Sequence, residues 1–124
     1  MIETIAKPFV KWVGGKTQLL DEVRKSLPTN LKDRTGVTYV EPFIGGGAVM
    51  FWILQEYPNI ERAIINDINA ELVCTYRVVE QDVMSLIEEL EKIQSEYLPL
   101  TAEARKSYYN IKRKLYNSKR ISDI

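Results

Sequence analysis

The residues best placed for chemistry are two acidic side chains and a run of glycines. Glu41 closes an apolar stretch, and three consecutive glycines, Gly45, Gly46 and Gly47, follow it closely. Glycine backbone can bring its N–H groups near a ligand because no Cβ stands in the way. Asp67 closes a second apolar stretch about twenty residues further on, where nucleotide-binding α/β units place the carboxylate that holds two ribose hydroxyls. The pattern indicates a nucleotide-like ligand.

Both features have other interpretations. The dinucleotide-binding fingerprint Gly-x-Gly-x-x-Gly needs a third glycine where the chain has Met50. A P-loop needs a lysine followed by Ser or Thr after its glycines, and Ala48 and Val49 stand there instead. An ordinary turn is the alternative for the glycines. For Asp67 the alternative is an Asx cap of the following helix, and one residue can serve both purposes.

A second glycine pair follows Trp12 and leads into a helical pattern whose first turn carries Lys16. The helix dipole disfavours a cation at that position unless an anion lies beside it. The alternative is a solvated surface lysine. We therefore expect three segments to clasp one ligand, namely the stretch from Trp12 to Lys16, the stretch from Glu41 to Gly47, and Asp67.

The elements that must position these residues follow from hydrophobic periodicity. The stretch from Thr38 to Glu41 predicts a buried strand, and a helix is expected to run from the glycines to about Tyr57. Arg62–Asp67 predicts a second buried strand. From Ala70 the pattern is helical, and Pro99 interrupts it before a last helix. The predicted fold class is α/β.

Charge is balanced overall but unevenly distributed. Formal net charge is zero, with 17 Lys and Arg against 17 Asp and Glu, so bulk charge implies no partner. Residues 101–124 carry seven basic residues against two acidic ones. Thr101 predicts the N-cap of the last helix, on which Lys112, Arg113 and Lys114 lie among tyrosines. This mixture suits contact with a phosphate backbone, and the alternative is a solvated helix face.

Several functional classes are disfavoured by composition. Cys74 is the single cysteine, so no internal disulfide can form and a reducing compartment is expected. We expect it to pack as a small apolar side chain. The chain has no histidine, which removes the commonest metal ligand, and the remaining spacing predicts no metal site. No apolar run approaches the length of a membrane span, so a soluble, intracellular chain is expected.

Three motifs resemble those of a known family. Lys11–Lys16 reads Lys-Trp-Val-Gly-Gly-Lys, Tyr39–Ala48 reads Tyr-Val-Glu-Pro-Phe-Ile-Gly-Gly-Gly-Ala, and Asn66–Asn69 reads Asn-Asp-Ile-Asn. In sequence, order and spacing they are similar to three successive motifs of the Dam-type DNA adenine-N6 methyltransferases. The helix carrying Tyr108 and Tyr109 resembles the next segment of that family, so the resemblance covers essentially the whole chain.

The resemblance implies S-adenosylmethionine as cofactor and double-stranded DNA as partner. It implies that residues 1–73 are part of a Rossmann-like methyltransferase core and that residues 74–124 begin an inserted helical DNA-recognition domain. Trp12 and Lys16 would lie near the methionine part of the cofactor, Asp67 would hold the ribose hydroxyls, and Lys11 would face DNA. The implied cofactor-binding residues are Trp12, Lys16, Glu41, Phe43, Gly45, Gly46, Gly47 and Asp67.

The sequence departs from the family pattern in one respect. Family members hold the target adenine with an Asp-Pro-Pro-Tyr motif, whereas no two prolines are adjacent in these 124 residues. We therefore expect the N-terminal portion of a longer cytoplasmic enzyme, bacterial or phage-encoded, that is inactive alone. Two strands with exposed edges would favour self-association. The alternatives are a non-catalytic DNA-binding or regulatory remnant of such an enzyme and, more weakly, a fragment of another nucleotide-binding protein.

Overall fold

The structure, a computed structural model, describes residues 5–14 and 16–118. Within those ranges short 3-10 turns occupy Thr17–Leu19 and Leu31–Asp33. The helices are α1 (Leu20–Ser26), α2 (Ala48–Glu56), α3 (Ala70–Tyr97) and α4 (Ala102–Asn117), and the strands are β1 (Val37–Glu41) and β2 (Ile60–Ile65). The chain divides into two compact units, Met1–Tyr76 and Arg77–Ile124. The prediction of a mixed α/β chain is confirmed.

β1 and β2 pair in parallel, with α2 between them in the chain. Tyr39 lies opposite Ala63, and Glu41 lies opposite Ile65. The pairing continues past the strand ends, because the N–H of Asn66 donates to the carbonyl of Glu41 at 2.9 Å. Since parallel strands end at the same edge of a sheet, the loops that follow β1 and β2 emerge side by side.

The core of the first unit lies on one face of this sheet. One cluster of buried side chains consists of Ile44, Met50, Leu72 and Tyr76, and it lies beneath the glycine loop. A second cluster, around Leu31, Ile53 and Tyr57, packs at the other end of α2. The apolar side chains of α2 thus anchor the helix that begins at the glycines.

The prediction that both strands are buried is wrong. Val40 is 59% exposed and Ile64 is 42% exposed, and they are partners across the two strands. Alternate residues of a strand face opposite sides, so these two lie on the side away from Tyr39. Periodicity reports that a strand carries apolar residues on both faces, but it does not report whether an element of the chain covers each face.

The second unit contains most of α3 and all of α4. α3 is kinked, because Asp82 has φ −153° and ψ 54°, outside the helical region. Thr101 caps α4 as predicted, and its hydroxyl accepts the N–H of Ala104 at 3.2 Å. Tyr97 and Tyr108 pack with ring centroids 5.8 Å apart, which joins the end of α3 to the middle of α4.

The single cysteine lies on the surface of the first unit. Cys74 is exposed on α3, so the expectation that it packs as a small apolar side chain is wrong. It occupies a position of α3 turned away from the buried Leu72 and Tyr76. Across residues 5–14 and 16–118, none of the helices combines the length and apolar character that crossing a membrane requires.

Candidate functional site

The glycine run forms a tight loop between β1 and α2. Gly45 has φ +52° and Gly47 has φ +82°, in the left-handed region that side-chain-bearing residues avoid. The N–H of Gly47 donates to the carbonyl of Ile44 at 2.9 Å, and Ile44 donates to the carbonyl of Asn66 at 2.9 Å. Gly47 is the N-cap of α2. The loop is therefore joined to the segment after β2 and opens directly into a helix N-terminus.

The N-terminal segment, residues 5–14, lies against these glycines. A Cβ on Gly45 would stand 3.3 Å from Cδ1 of Trp12, and a Cβ on Gly46 would stand 3.4 Å from the carbonyl oxygen of Val10. The same segment is fixed at Ala6, whose N–H and carbonyl pair with the amide of Gln55 at 2.9 and 3.0 Å. The missing Cβ atoms of Gly45 and Gly46 thus let the N-terminal segment pack closely on the loop.

The side chain of Asp67 binds the glycine loop and does not cap the next helix. Its Oδ2 accepts the N–H of Gly45 and its Oδ1 accepts the N–H of Asn69, both at 3.0 Å. These two hydrogen bonds lower the pKa of the Asp67 carboxyl below its ordinary value, and the bond from Asn69 has the larger effect. In the first turn of α3 the N–H of Leu72 is accepted by Asn69 Oδ1 at 2.9 Å. The Asx alternative is correct for the local turn, but the side chain that reaches α3 is that of Asn69.

The expectation that Lys16 lies in the first turn of a helix is wrong, because Lys16 precedes the 3-10 turn Thr17–Leu19 and α1 begins only at Leu20. Lys16 nevertheless has an anionic partner. Its Nζ lies 2.9 Å from Oε1 of Glu41 and also donates to the carbonyl of Phe43. Glu41 is buried, and its Oε2 accepts the hydroxyl of Tyr39 at 2.5 Å. Burial and this carboxylate raise the pKa of Tyr39 above its ordinary range. Lys16 is therefore not a freely solvated surface lysine.

A cavity of about 360 Å³ brings the predicted segments together. Its size falls within the range of small-molecule sites, about 300–1,000 Å³. Asp67 contributes an anion and Lys16 a cation. The residues that line the cavity are Pro8, Val10, Trp12, Val13, Gly14, Lys16, Thr17, Phe43, Ile44, Gly45, Gly46, Gly47, Ala48 and Asp67.

Glu41 is the one predicted cofactor residue that does not line the cavity. It lies behind Lys16, with one carboxylate oxygen bonded to that lysine and the other to Tyr39. Its part in the site is thus to hold the ammonium group of Lys16 at the cavity. The other seven predicted residues, from Trp12 to Asp67, meet at the cavity wall.

Comparison with known proteins decides the family. The sequence profile of D12 class N6 adenine-specific DNA methyltransferases matches residues 12–124. The chain belongs to this family. The Type II methyltransferase M.MjaIII of Methanocaldococcus jannaschii is 50% identical to it over 103 residues, which are 83% of this chain and 35% of that protein.

Two further relatives carry similar names. The DNA adenine methylase of Haemophilus influenzae is 36% identical over 112 residues, 90% of this chain and 34% of the methylase. The Type II methyltransferase M1.LlaDCHI of Lactococcus lactis subsp. cremoris is 38% identical over 104 residues, 80% of this chain and 33% of the relative. The chain spans about a third of the length of these relatives.

The predicted DNA-contacting residues of this family member lie in both units. Lys11 is exposed in the N-terminal segment, between the cavity-lining Val10 and Trp12. On α4, Lys112, Arg113 and Lys114 are exposed, and Nζ of Lys112 lies 5.3 Å from the ring centroid of Tyr108. Consecutive helical residues point about 100° apart, since a turn takes 3.6 residues, so these three cations do not form a single face.

Sequence analysis missed two tyrosines that support the site. Tyr39 stands two residues before Glu41, so both side chains lie on the same face of β1. Tyr76 stands four residues after Leu72 on one side of α3, and its hydroxyl reaches the carbonyl of Gly45 at 2.9 Å. Spacing could have placed each beside its neighbour in the core. It could not have shown that their hydroxyl groups contact the loops.

Proposed function

We propose that this chain supplies the S-adenosylmethionine site of a Rossmann-like DNA adenine-N6 methyltransferase. The observation that carries the proposal is the meeting of three separate segments at one cavity, in the chain order of the family motifs. Residues 1–73 would be part of the cofactor-binding core, and residues 74–124 would begin the DNA-recognition domain. The acceptor would be adenine in double-stranded DNA.

The cavity suits the proposed cofactor chemically. A carboxylate oxygen has two acceptor sites, so each oxygen of Asp67 can keep its backbone N–H and accept one ribose hydroxyl. Asp67 is ionised at neutral pH, since the pKa of its carboxyl lies below the ordinary value of 3.8. The ammonium of Lys16 and the N-terminus of α2 favour negative charge, which suits the carboxylate of the methionine end. Trp12 and Phe43 offer apolar, aromatic contact to the rest of the molecule.

The residues of this chain would bind and orient rather than transfer protons. The bound cofactor supplies an activated methyl group for transfer to the adenine amino group. The glycine loop and Asp67 would fix the position of that group relative to DNA, which lowers the entropic cost of the encounter. No Asp-Pro-Pro-Tyr segment occurs in the 124 residues, and for this reason we predict that this chain alone does not transfer a methyl group. Self-association also stays a prediction, which a monomer in sedimentation would contradict.

Replacement of Asp67 by alanine tests the cofactor assignment. The variant should bind S-adenosylmethionine about tenfold more weakly or worse, because two ribose hydroxyls lose their acceptor. Isothermal titration calorimetry on the 124-residue chain measures the change. Asp21→Ala, which removes an exposed carboxylate of α1, is the matched control and should bind as the unaltered chain does. Equal affinity of both variants, with unchanged circular dichroism spectra, would contradict the assignment.

The second candidate function is DNA binding without catalysis, and the charge of α4 favours it. Residues 101–124 carry seven basic residues against two acidic ones. Changing Lys112, Arg113 and Lys114 to alanine should lower the salt dependence of DNA binding, by about 0.9 in the log–log slope for each phosphate that is no longer neutralised. Fluorescence anisotropy of a labelled duplex between low and moderate salt measures the slope.

The control for this experiment removes three exposed cations of the first unit, Lys25, Lys32 and Arg34. It changes net charge equally, so an equal reduction of the slope in both variants would show that α4 has no particular role. Absence of salt-sensitive affinity in the unaltered chain would remove the support for this second candidate.

A further inference from the structure

Tyr76 holds the glycine loop from behind. Its side chain is buried, 7% exposed, and its hydroxyl donates to the carbonyl of Gly45 at 2.9 Å. A Cβ on Gly47 would stand only 2.7 Å from the same hydroxyl oxygen. The ring of Phe9 packs edge-on against the Tyr76 ring at 5.6 Å. The tyrosine thus contacts both the first and the third glycine.

Gly45 is restrained on both of its peptide groups. Its N–H donates to Asp67 and its carbonyl accepts from Tyr76, while its φ is +52°. In a trans peptide the carbonyl and the following N–H point in opposite directions. Because Tyr76 takes the carbonyl of Gly45, the N–H of Gly46 is directed away from Tyr76. Gly46 lines the cavity and Tyr76 does not.

We propose that Tyr76 is a positioning residue that fixes the peptide between Gly45 and Gly46 so that the Gly46 N–H faces the bound ligand. The inference rests on the proposed cofactor and adds one donor to its recognition. The Asp67 carboxylate is held by the N–H groups of Gly45 and Asn69 and makes no hydrogen bond to Tyr76. Gly46 directly precedes the N-cap of α2, the helix terminus proposed to face the methionine carboxylate, so its N–H would serve the amino-acid end of the cofactor. The ribose contact of Asp67 would persist without Tyr76.

The hydroxyl remains a donor over the whole range of pH in which the protein would be studied. Burial, with the nearby charges of Glu41 and Asp67, raises the pKa of Tyr76 to about 12. Replacement by phenylalanine keeps the ring that packs on Phe9 and removes only this donor. It leaves the Gly45 carbonyl without its partner and frees the peptide to rotate.

Two ligands distinguish contacts to the amino-acid end of the cofactor from contacts to its nucleoside. S-adenosylhomocysteine carries the amino-acid end, whereas 5′-methylthioadenosine keeps the nucleoside and lacks that end. Tyr76→Phe should weaken S-adenosylhomocysteine about 3- to 10-fold, as expected when one hydrogen bond is removed, and should change 5′-methylthioadenosine by less than about twofold. A general loosening of the core would weaken both equally, so equal weakening would overturn the proposal.

Tyr57→Phe is the matched control, because it makes the same chemical change in the other core cluster. It should leave both affinities unchanged, and identical behaviour of the two variants would overturn the role of Tyr76. If the unaltered chain binds neither ligand, the proposed function fails rather than the assignment of Tyr76.

A second measurement needs no variant and applies even if Tyr76→Phe does not fold. In 15N–1H spectra of the unaltered chain, the Gly46 amide proton should shift downfield with S-adenosylhomocysteine. With 5′-methylthioadenosine it should move little. The same response to both ligands, or no response to the first, would overturn the proposal.

Discussion

Asp67 has a carboxylate that the surrounding backbone holds in one orientation. Two backbone N–H groups, from Gly45 and Asn69, point at its carboxylate at 3.0 Å. Both stabilise the charged form, and the positive charge of Lys16 acts in the same direction. These groups therefore orient the carboxylate and stabilise its ionised form in the folded chain.

The same hydrogen bonds predict how stability depends on pH. Since the folded pKa of Asp67 lies below its ordinary value of 3.8, ionised Asp67 stabilises the fold above pH 3.8, and that contribution is lost as pH falls through the folded pKa. Asp67→Asn should be less stable than the unaltered chain at pH 7, and the difference should shrink at pH 3. Urea unfolding at both values measures it. A difference that stays constant would contradict the cause assigned to the shift.

At the scale of single residues, the sequence predicted which residues reach the candidate site better than it predicted their hydrogen-bond partners. The expectation that Lys16 needs an anion was met by Glu41, which lies 25 residues later. Glu41 itself was expected in the cofactor loop, but its carboxylate is engaged by Lys16 and Tyr39. Spacing along a chain indicates which edge of a sheet a residue reaches. It does not indicate which of several polar neighbours there will occupy each oxygen.

Among the elements, α2 depends most on its first residue. Gly47 has φ +82°, and its missing Cβ leaves room for the hydroxyl of Tyr76 on α3 and the ring of Phe51 on α2. The N-cap of α2 is thus defined by backbone conformation and by packing at once. A side chain there would have to displace a buried tyrosine whose hydroxyl already holds Gly45.

Gly47→Ala should therefore destabilise the fold more than positive φ alone explains. Gly36 is the matched control, because its φ is +65° and nothing lies within 4 Å of its missing Cβ. We expect Gly36→Ala to cost about 1–2 kcal/mol in the free energy of unfolding and Gly47→Ala to cost a further amount of about 1–3 kcal/mol from overpacking. Urea unfolding compares the two. Equal losses would show that Tyr76 moves aside freely.

The elements themselves were largely predictable. The helix after the glycines, the helix beginning at Ala70 and the cap at Thr101 all follow from local pattern, and the structure contains each. The second strand begins two residues earlier than predicted, at Ile60. The kink at Asp82 was not predicted, because the apolar stripe of α3 continues across it. Periodicity records which side chains share a face and is insensitive to one displaced turn.

For the molecule as a whole, the family motifs gave more information about function than the composition did. A net charge of zero gave no indication of DNA, whereas three short motifs indicated a family that the comparisons confirm over residues 12–124. The exposure of Val40 and Ile64 could not be foreseen, since a strand's own sequence does not specify what covers it. The candidate site was more predictable because it lies at the ends of two paired strands.

The N-terminal segment determines how firmly one wall of the cavity is held. Pro8, Val10 and Trp12 line one wall, in the alternation of an extended chain. That wall is fastened by two hydrogen bonds between Ala6 and Gln55 and by contacts of the Phe9 ring. None of these attachments involves β1 or β2. The hydrogen bonds and ring contacts that hold this wall are thus separate from the backbone pairing between β1 and β2.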